Sequence, residues 1–116
     1  MLDFSRRATT PELMDTEECD FTTFRDCLVD LARVNQLTLA YRPTIAFLNR
    51  LYRAGLVPPD RPLEIVDVGS GYGDMLRKIA LWGQQRGINV RLTGVDLNPW
   101  SAKAAGEATE PSLPIV

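Results

Sequence analysis

Histidine is absent from this 116-residue chain, which removes the commonest general base and the commonest zinc ligand. Any proton transfer falls to another group or to none. Soft metal ligands are nearly as scarce: the only cysteines are Cys19 and Cys27, and without a histidine or a third thiol they predict no metal site. They lie too far apart along a helix axis to bridge, so they are expected as reduced, core-facing thiols of a cytoplasmic protein. Nor is there an excess of positive charge. With 13 Lys and Arg against 15 Asp and Glu, the net charge is -2, without the basic stripe of a nucleic-acid binder. No stretch approaches the run of about eighteen apolar residues that a membrane helix requires, and no apolar segment follows Arg6 and Arg7 as it would in a secretory signal. No membrane partner is therefore expected. The length suits one domain with its own core.

What is present divides near residue 60. Residues 1–60 read as a helical arm: Thr9-Thr10-Pro11-Glu12 predicts a short capped turn, and Asp20 is a plausible N-cap for a longer helix. In that helix Phe24, Leu28, Leu31, Val34, Leu37 and Leu39 recur at steps of three and four or close to them and predict a core-facing stripe. Pro43 biases Arg42 away from helical dihedrals, so the helix is expected to end near Tyr41 and a second one to begin at Pro43, burying Ile45, Leu48, Leu51 and Tyr52. Gly55 stands where a helix C′ glycine belongs, and Pro58-Pro59-Asp60-Arg61-Pro62 cannot continue a helix.

Residues 61–116 change period. Leu63–Val68 is short, apolar and β-branched, the pattern of a parallel strand covered on both faces. It breaks into glycines at 69, 71 and 73. Such a turn between strand and helix lets backbone approach a ligand closely and leaves free amides at the helix start. Asp74 to Arg86 is helical, with Met75, Leu76, Ile79, Ala80 and Trp82 on one side and Gly87 as the stop; Asp74 itself also suits the first helical turn on dipole grounds alone. Trp82 and Trp100 read as core or rim. Asn89–Val95 supplies a parallel return strand ending in Asp96, Trp100–Ala108 another helix, and Leu113–Val116 the first residues of a third strand. The class is α/β, built on a βαβ unit.

The GxGxG spacing, with Asp74 where a dinucleotide fingerprint needs its last glycine, disfavours an NAD-dependent Rossmann protein. Asp67-Val68-Gly69-Ser70-Gly71-Tyr72-Gly73 instead resembles motif I of the class I S-adenosylmethionine (SAM) dependent methyltransferases, and Thr93-Gly94-Val95-Asp96-Leu97-Asn98-Pro99 resembles their acidic-loop motif. The resemblance implies a Rossmann-like fold truncated to its first βαβ units, with the N-terminal helical arm serving as a lid and residues 61–116 as the first half of the SAM-binding domain. It implies SAM as cofactor: Asp67 at the ammonium end, Gly69, Ser70, Gly71, Tyr72 and Gly73 as the cradle, Asp96 on the ribose hydroxyls, and Leu97 with Pro99 beside the adenine. More loosely, Glu12-Leu13-Met14-Asp15, Leu31-Ala32-Arg33-Val34-Asn35 and Tyr41-Arg42 resemble the arm of ubiquinone-methylase-like small-molecule methyltransferases, which makes Tyr41 and Arg42 candidates for the methionyl carboxylate. The implied activity is methyl transfer to a small-molecule acceptor. The strands that would carry the remaining catalytic residues are missing from the pattern, so no catalytic residue is named and the fragment by itself is expected to be inactive. A noncatalytic SAM or nucleoside-binding module is the alternative. Unpaired strand edges and exposed apolar faces predict self-association through the sheet edge.

Overall fold

The computed structural model describes residues 20–116. The cap pattern at Thr9–Glu12 and Cys19 lie outside the described residues.

Asp20 caps the first helix, α1 (Phe21–Leu37), in an extended conformation. Its carboxylate accepts from the Thr23 N–H at 2.8 Å, a bond that holds the carboxyl below its ordinary value. The helix stops at Leu37 rather than near Tyr41. Both the N–H and the hydroxyl of Thr38 return to the Val34 carbonyl, the Ala40 N–H bonds Asn35, and Leu39 takes a left-handed φ of 57°. The chain has thus turned before Pro43 exerts its bias, and α2 (Arg42–Arg53) begins one residue ahead of that proline. Gly55, at φ 70°, ends α2 as expected: its N–H bonds Tyr52 and the Leu56 N–H reaches back to Leu51.

A parallel pair follows, β1 (Leu63–Val68) and β2 (Val90–Val95), in register from Leu63↔Val90 to Val68↔Val95. Between them runs α3 (Asp74–Arg86), closed at Gly87 with φ 64°. After β2, the Asn98 side chain caps α4 (Pro99–Ala108) by accepting from the Trp100 N–H at 3.0 Å. The C-terminal residues return to the sheet as a short third segment: Leu92 N–H bonds Pro114, Val116 N–H bonds Leu92, and Gly94 N–H bonds Val116. The described chain is therefore a small α/β unit of four helices and a two-stranded parallel sheet.

Among the described residues one face of the sheet is covered. On the inner face Leu63, Ile65, Val90 and Leu92 meet Leu76, Ile79 and Ala80 of α3 and Leu48 of α2. Leu76, Ile79 and Leu92 are fully buried, each worth roughly 2 kcal/mol of transfer free energy. The Trp82 indole N–H satisfies itself on Asn49 at 2.9 Å, fastening α3 to α2. On the outer face Val66 and Val68 remain 61% and 81% exposed beside the Glu64–Arg91 ion pair at 2.8 Å. The two-sided covering expected of β1 is not found among the described residues.

The arm also differs from its pattern. Of the α1 stripe only Phe24 and Leu28 are buried; Leu31, Val34, Leu37 and Leu39 are exposed. The N-terminal half of α1 packs on α4, while its C-terminal half leans on α3 through polar groups. Tyr52 is likewise exposed on α2, and Cys27 is an exposed thiol rather than a core one.

Candidate functional site

β1 delivers the chain into a turn in which Gly69, Gly71 and Gly73 all have positive φ, at 77°, 51° and 75°. Glycine is required most strictly at Gly73, the residue ahead of α3. A Cβ there would stand 3.3 Å from both the Ala105 Cβ and the Arg77 guanidinium, in a backbone conformation that L side chains rarely adopt. The turn is clamped to the end of β2 by the N–H groups of Gly69 and Ser70, which both bond the Val95 carbonyl at 2.6 and 3.1 Å. Arg77 secures its far side, donating to the Tyr72 carbonyl at 2.7 Å and the Thr109 hydroxyl at 3.1 Å while lying over the Tyr72 ring.

Three carboxylates lie near this turn, in different places. Asp96, at the end of β2, accepts from the Gly71 N–H at 2.9 Å with one oxygen and from the Asn98 N–H at 2.9 Å with the other. Each oxygen keeps lone pairs for further donors. Asp67 lies on the inner face of β1 and is half-buried; burial first, then the charge of Asp74, push its carboxyl above the ordinary carboxylate value. Asp74 opens α3 and receives the Tyr41 hydroxyl at 2.5 Å and the Asn35 amide at 3.4 Å. Burial, the hydrogen bond to Asp74 and its charge push the Tyr41 phenol up to about 12, against a smaller opposing effect of Arg77.

A cavity of about 310 Å³ opens beside the turn, between α4, the end of β2 and the C-terminal segment. Ser70, Gly71 and Asp96 stand on its lining, while Ala105, Leu113 and Ile115 give it apolar walls. The structure thus gathers Ser70, Gly71, Gly73 and Asp96 around one space. It leaves others outside. Leu97 is fully exposed and takes no part in the cavity wall. Tyr72 is turned into a cluster with Phe24, Leu28 and Ala104. Arg42 is exposed at the start of α2 and makes no side-chain hydrogen bond or ion pair among the described residues; it is Tyr41 beside it that reaches the glycine turn's helix, through Asp74.

Two contributors were given no role of their own by the sequence reading, Gly94 within the acidic-loop motif and Arg77. Gly94 of β2 faces the turn so closely that a Cβ would stand 2.7 Å from the Ser70 hydroxyl oxygen and 3.0 Å from Leu76; a glycine inside a strand pattern was the available signal. Arg77 had no such signal, since its partners Tyr72 and Thr109 are brought to it by the fold alone. Among the described residues no group of three or more acidic or cysteine side chains is arranged to hold a metal ion, and no helix is long and apolar enough to cross a membrane. No protein-family model, curated protein or solved structure matches the chain.

Proposed function

We propose that this chain binds S-adenosylmethionine on the glycine turn, as the resemblance to class I methyltransferases implies, and serves methyl transfer to a small-molecule acceptor. The observation that carries this reading is Asp96 on the cavity lining, bonded to the Gly71 N–H, beside a turn of left-handed glycines. A pyrophosphate brought there meets the like charge of Asp96, which disfavours a dinucleotide. A ligand with an ammonium, a sulfonium and a ribose diol meets acceptors instead. Asp67 suits the ammonium, because a neighbouring cation relieves the cost of its burial next to Asp74. Asp96 suits the diol: one oxygen holds Gly71 of the turn, the other accepts from the Asn98 N–H, and both can accept hydroxyl donors with their remaining lone pairs. The apolar walls of the adjoining cavity suit a nucleobase.

When bound, the sulfonium supplies an electrophilic methyl group. The contribution of this chain is to position it: the clamp from Gly69 and Ser70 to Val95 and the grip of Arg77 on Tyr72 fix the cradle before a ligand arrives. A nucleoside-binding module without catalysis is the second reading, favoured by the size of the cavity, which offers room for a nucleoside rather than for nucleoside and acceptor together. Calorimetry with S-adenosylhomocysteine is expected to show binding that Asp96→Ala abolishes and Asp96→Asn, which keeps one acceptor oxygen, weakens less. NADH binding in preference would overturn the reading, and turnover with added acceptors separates enzyme from module.

The outer edge of β1 is the proposed route of self-association. Among the described residues the outward backbone groups of Glu64, Val66 and Val68 have no sheet partner, and such an edge templates pairing with another strand. Light scattering is expected to show a concentration-dependent dimer that Val66→Lys returns to monomer; a monomer at all concentrations refutes it.

A further inference from the structure

The arm packs along the glycine turn and the two helices that flank it. At one end of α1, Phe21 and Phe24 pack edge-on against Trp100 at the start of α4, with ring centroids 6.0 and 5.7 Å apart. Midway, Leu28 comes within 3.8 Å of where a side chain on Gly71 would begin. At the other end Asn35 and, through the turn to α2, Tyr41 meet Asp74 on the first turn of α3. No α1 residue lines the cavity, so α1 bears on the ligand's space through its hold on the turn.

The two anchors differ in kind. The aromatic end buries area in many small contacts that no single atom controls. The polar end converges on one carboxylate oxygen, Oδ2 of Asp74, and the Tyr41 hydroxyl at 2.5 Å is much the closer of its two donors. Asp74 has no ion pair among the described residues. Lys78 and Arg77 face the same groove, but Lys78 lies over the Tyr41 ring at 5.5 Å and Arg77 is committed to Tyr72 and Thr109. The same hydroxyl lies 3.3 Å from the Ala32 carbonyl of α1, so it sits between the arm and the helix that the glycine turn begins. We infer that the Tyr41–Asp74 hydrogen bond is a latch that holds α1 against the glycine turn and sets how readily the turn opens to a ligand. The latch is a property of the empty protein; only the identity of the ligand rests on the cofactor reading.

Hydrogen exchange of the ligand-free protein tests it, paired with the association rate of S-adenosylhomocysteine. Tyr41→Phe removes one oxygen and is expected to speed exchange of the α1 amides and of the turn from Gly69 to Gly73 by roughly tenfold or more, the range for a hydrogen bond to a charged acceptor. Ligand association should quicken with it, while β2 exchanges as before. Asp74→Asn keeps an acceptor for the phenol and should fall between the two proteins; it replaces Tyr41→Phe if that variant does not fold. Exchange unchanged in both variants overturns the latch, and faster exchange with unchanged association overturns its control of access. Faster exchange with no ligand binding by any of the proteins supports the latch and removes the cofactor reading instead.

Discussion

Among the described residues two apolar clusters hold the fold together, and they differ in what they hold. The larger joins α2, α3 and the inner sheet face through Leu48, Leu76, Ile79, Ala80, Trp82, Val90 and Leu92. The smaller consists of Phe24, Leu28 and Ala104, fringed by Phe21, Tyr72 and Trp100. The first also supplies walls of the candidate site, through Leu76, Leu113 and Ile115. The second is fringed by Tyr72 of the glycine turn, so the turn is held from both sides and lies at the junction of the two. Regions with few buried contacts open locally at a fraction of the global unfolding cost, so the turn is expected to loosen first on the side of the smaller cluster.

The sharpest way to break this comparison is to truncate one residue in each cluster. Leu92→Ala, at a fully buried position, is expected to cost ~3 kcal/mol in urea unfolding, within the usual range for such a cavity. Phe24→Ala removes a larger side chain, yet it should cost less globally, because the loss is capped at the docking free energy of α1. Exchange in α1 should rise while β2 is spared. Equal global losses would show one cooperative unit and erase the distinction.

A smaller effect is expected at the seam between the regions. Gly94→Ala forces a methyl group against the Ser70 hydroxyl and Leu76 and should cost about 1–3 kcal/mol, as overpacking does. Ligand binding should fall further than stability, since Ser70 belongs to the turn; a variant of full stability and full affinity would show that Ser70 simply swings aside.

The smallest change sharpens the comparison by going the other way. Because the Asp67 carboxyl is raised in the folded protein, its protonated form is favoured by folding. That contribution is complete below the unfolded value and is lost as pH rises through the folded one. At neutral pH the ionised group is a net cost, so Asp67→Asn should stabilise the protein by a few degrees in thermal melts at pH 7 and lose that advantage below about pH 4. Binding of S-adenosylhomocysteine should weaken in the same variant. A stability gain that persists at low pH would mean that the amide, not the removed charge, was responsible.

Much of the scaffold was legible because its signals are local. Gly73 and Gly87 bracket α3 at the expected residues, and β1 runs from Leu63 to Val68 as its composition predicts. The α1 stripe was misread for the opposite reason: a three-and-four period marks a face but not the length of the partner, and α4 meets only Phe24 and Leu28. Glycines 69, 71 and 73 announced the turn and Asp96 its neighbour, yet nothing local to residues 35, 41 and 74 could show that they converge. Leu97 is exposed and stands outside the cavity lining, a placement that its position after Asp96 did not foretell.

The turn between α1 and α2 adds a last consequence. Leu39 sits at φ 57° and is 54% exposed, so it carries about 1 kcal/mol of backbone strain and recovers little of it by burial. Its posture is imposed by the bonds on either side, from Thr38 to Val34 and from Ala40 to Asn35. The angle between the two arm helices behaves like a bent spring fixed at both ends. A glycine at position 39 would relax the spring without touching any residue of the site, and the change would be felt at the start of α3, thirty-five residues further along the chain.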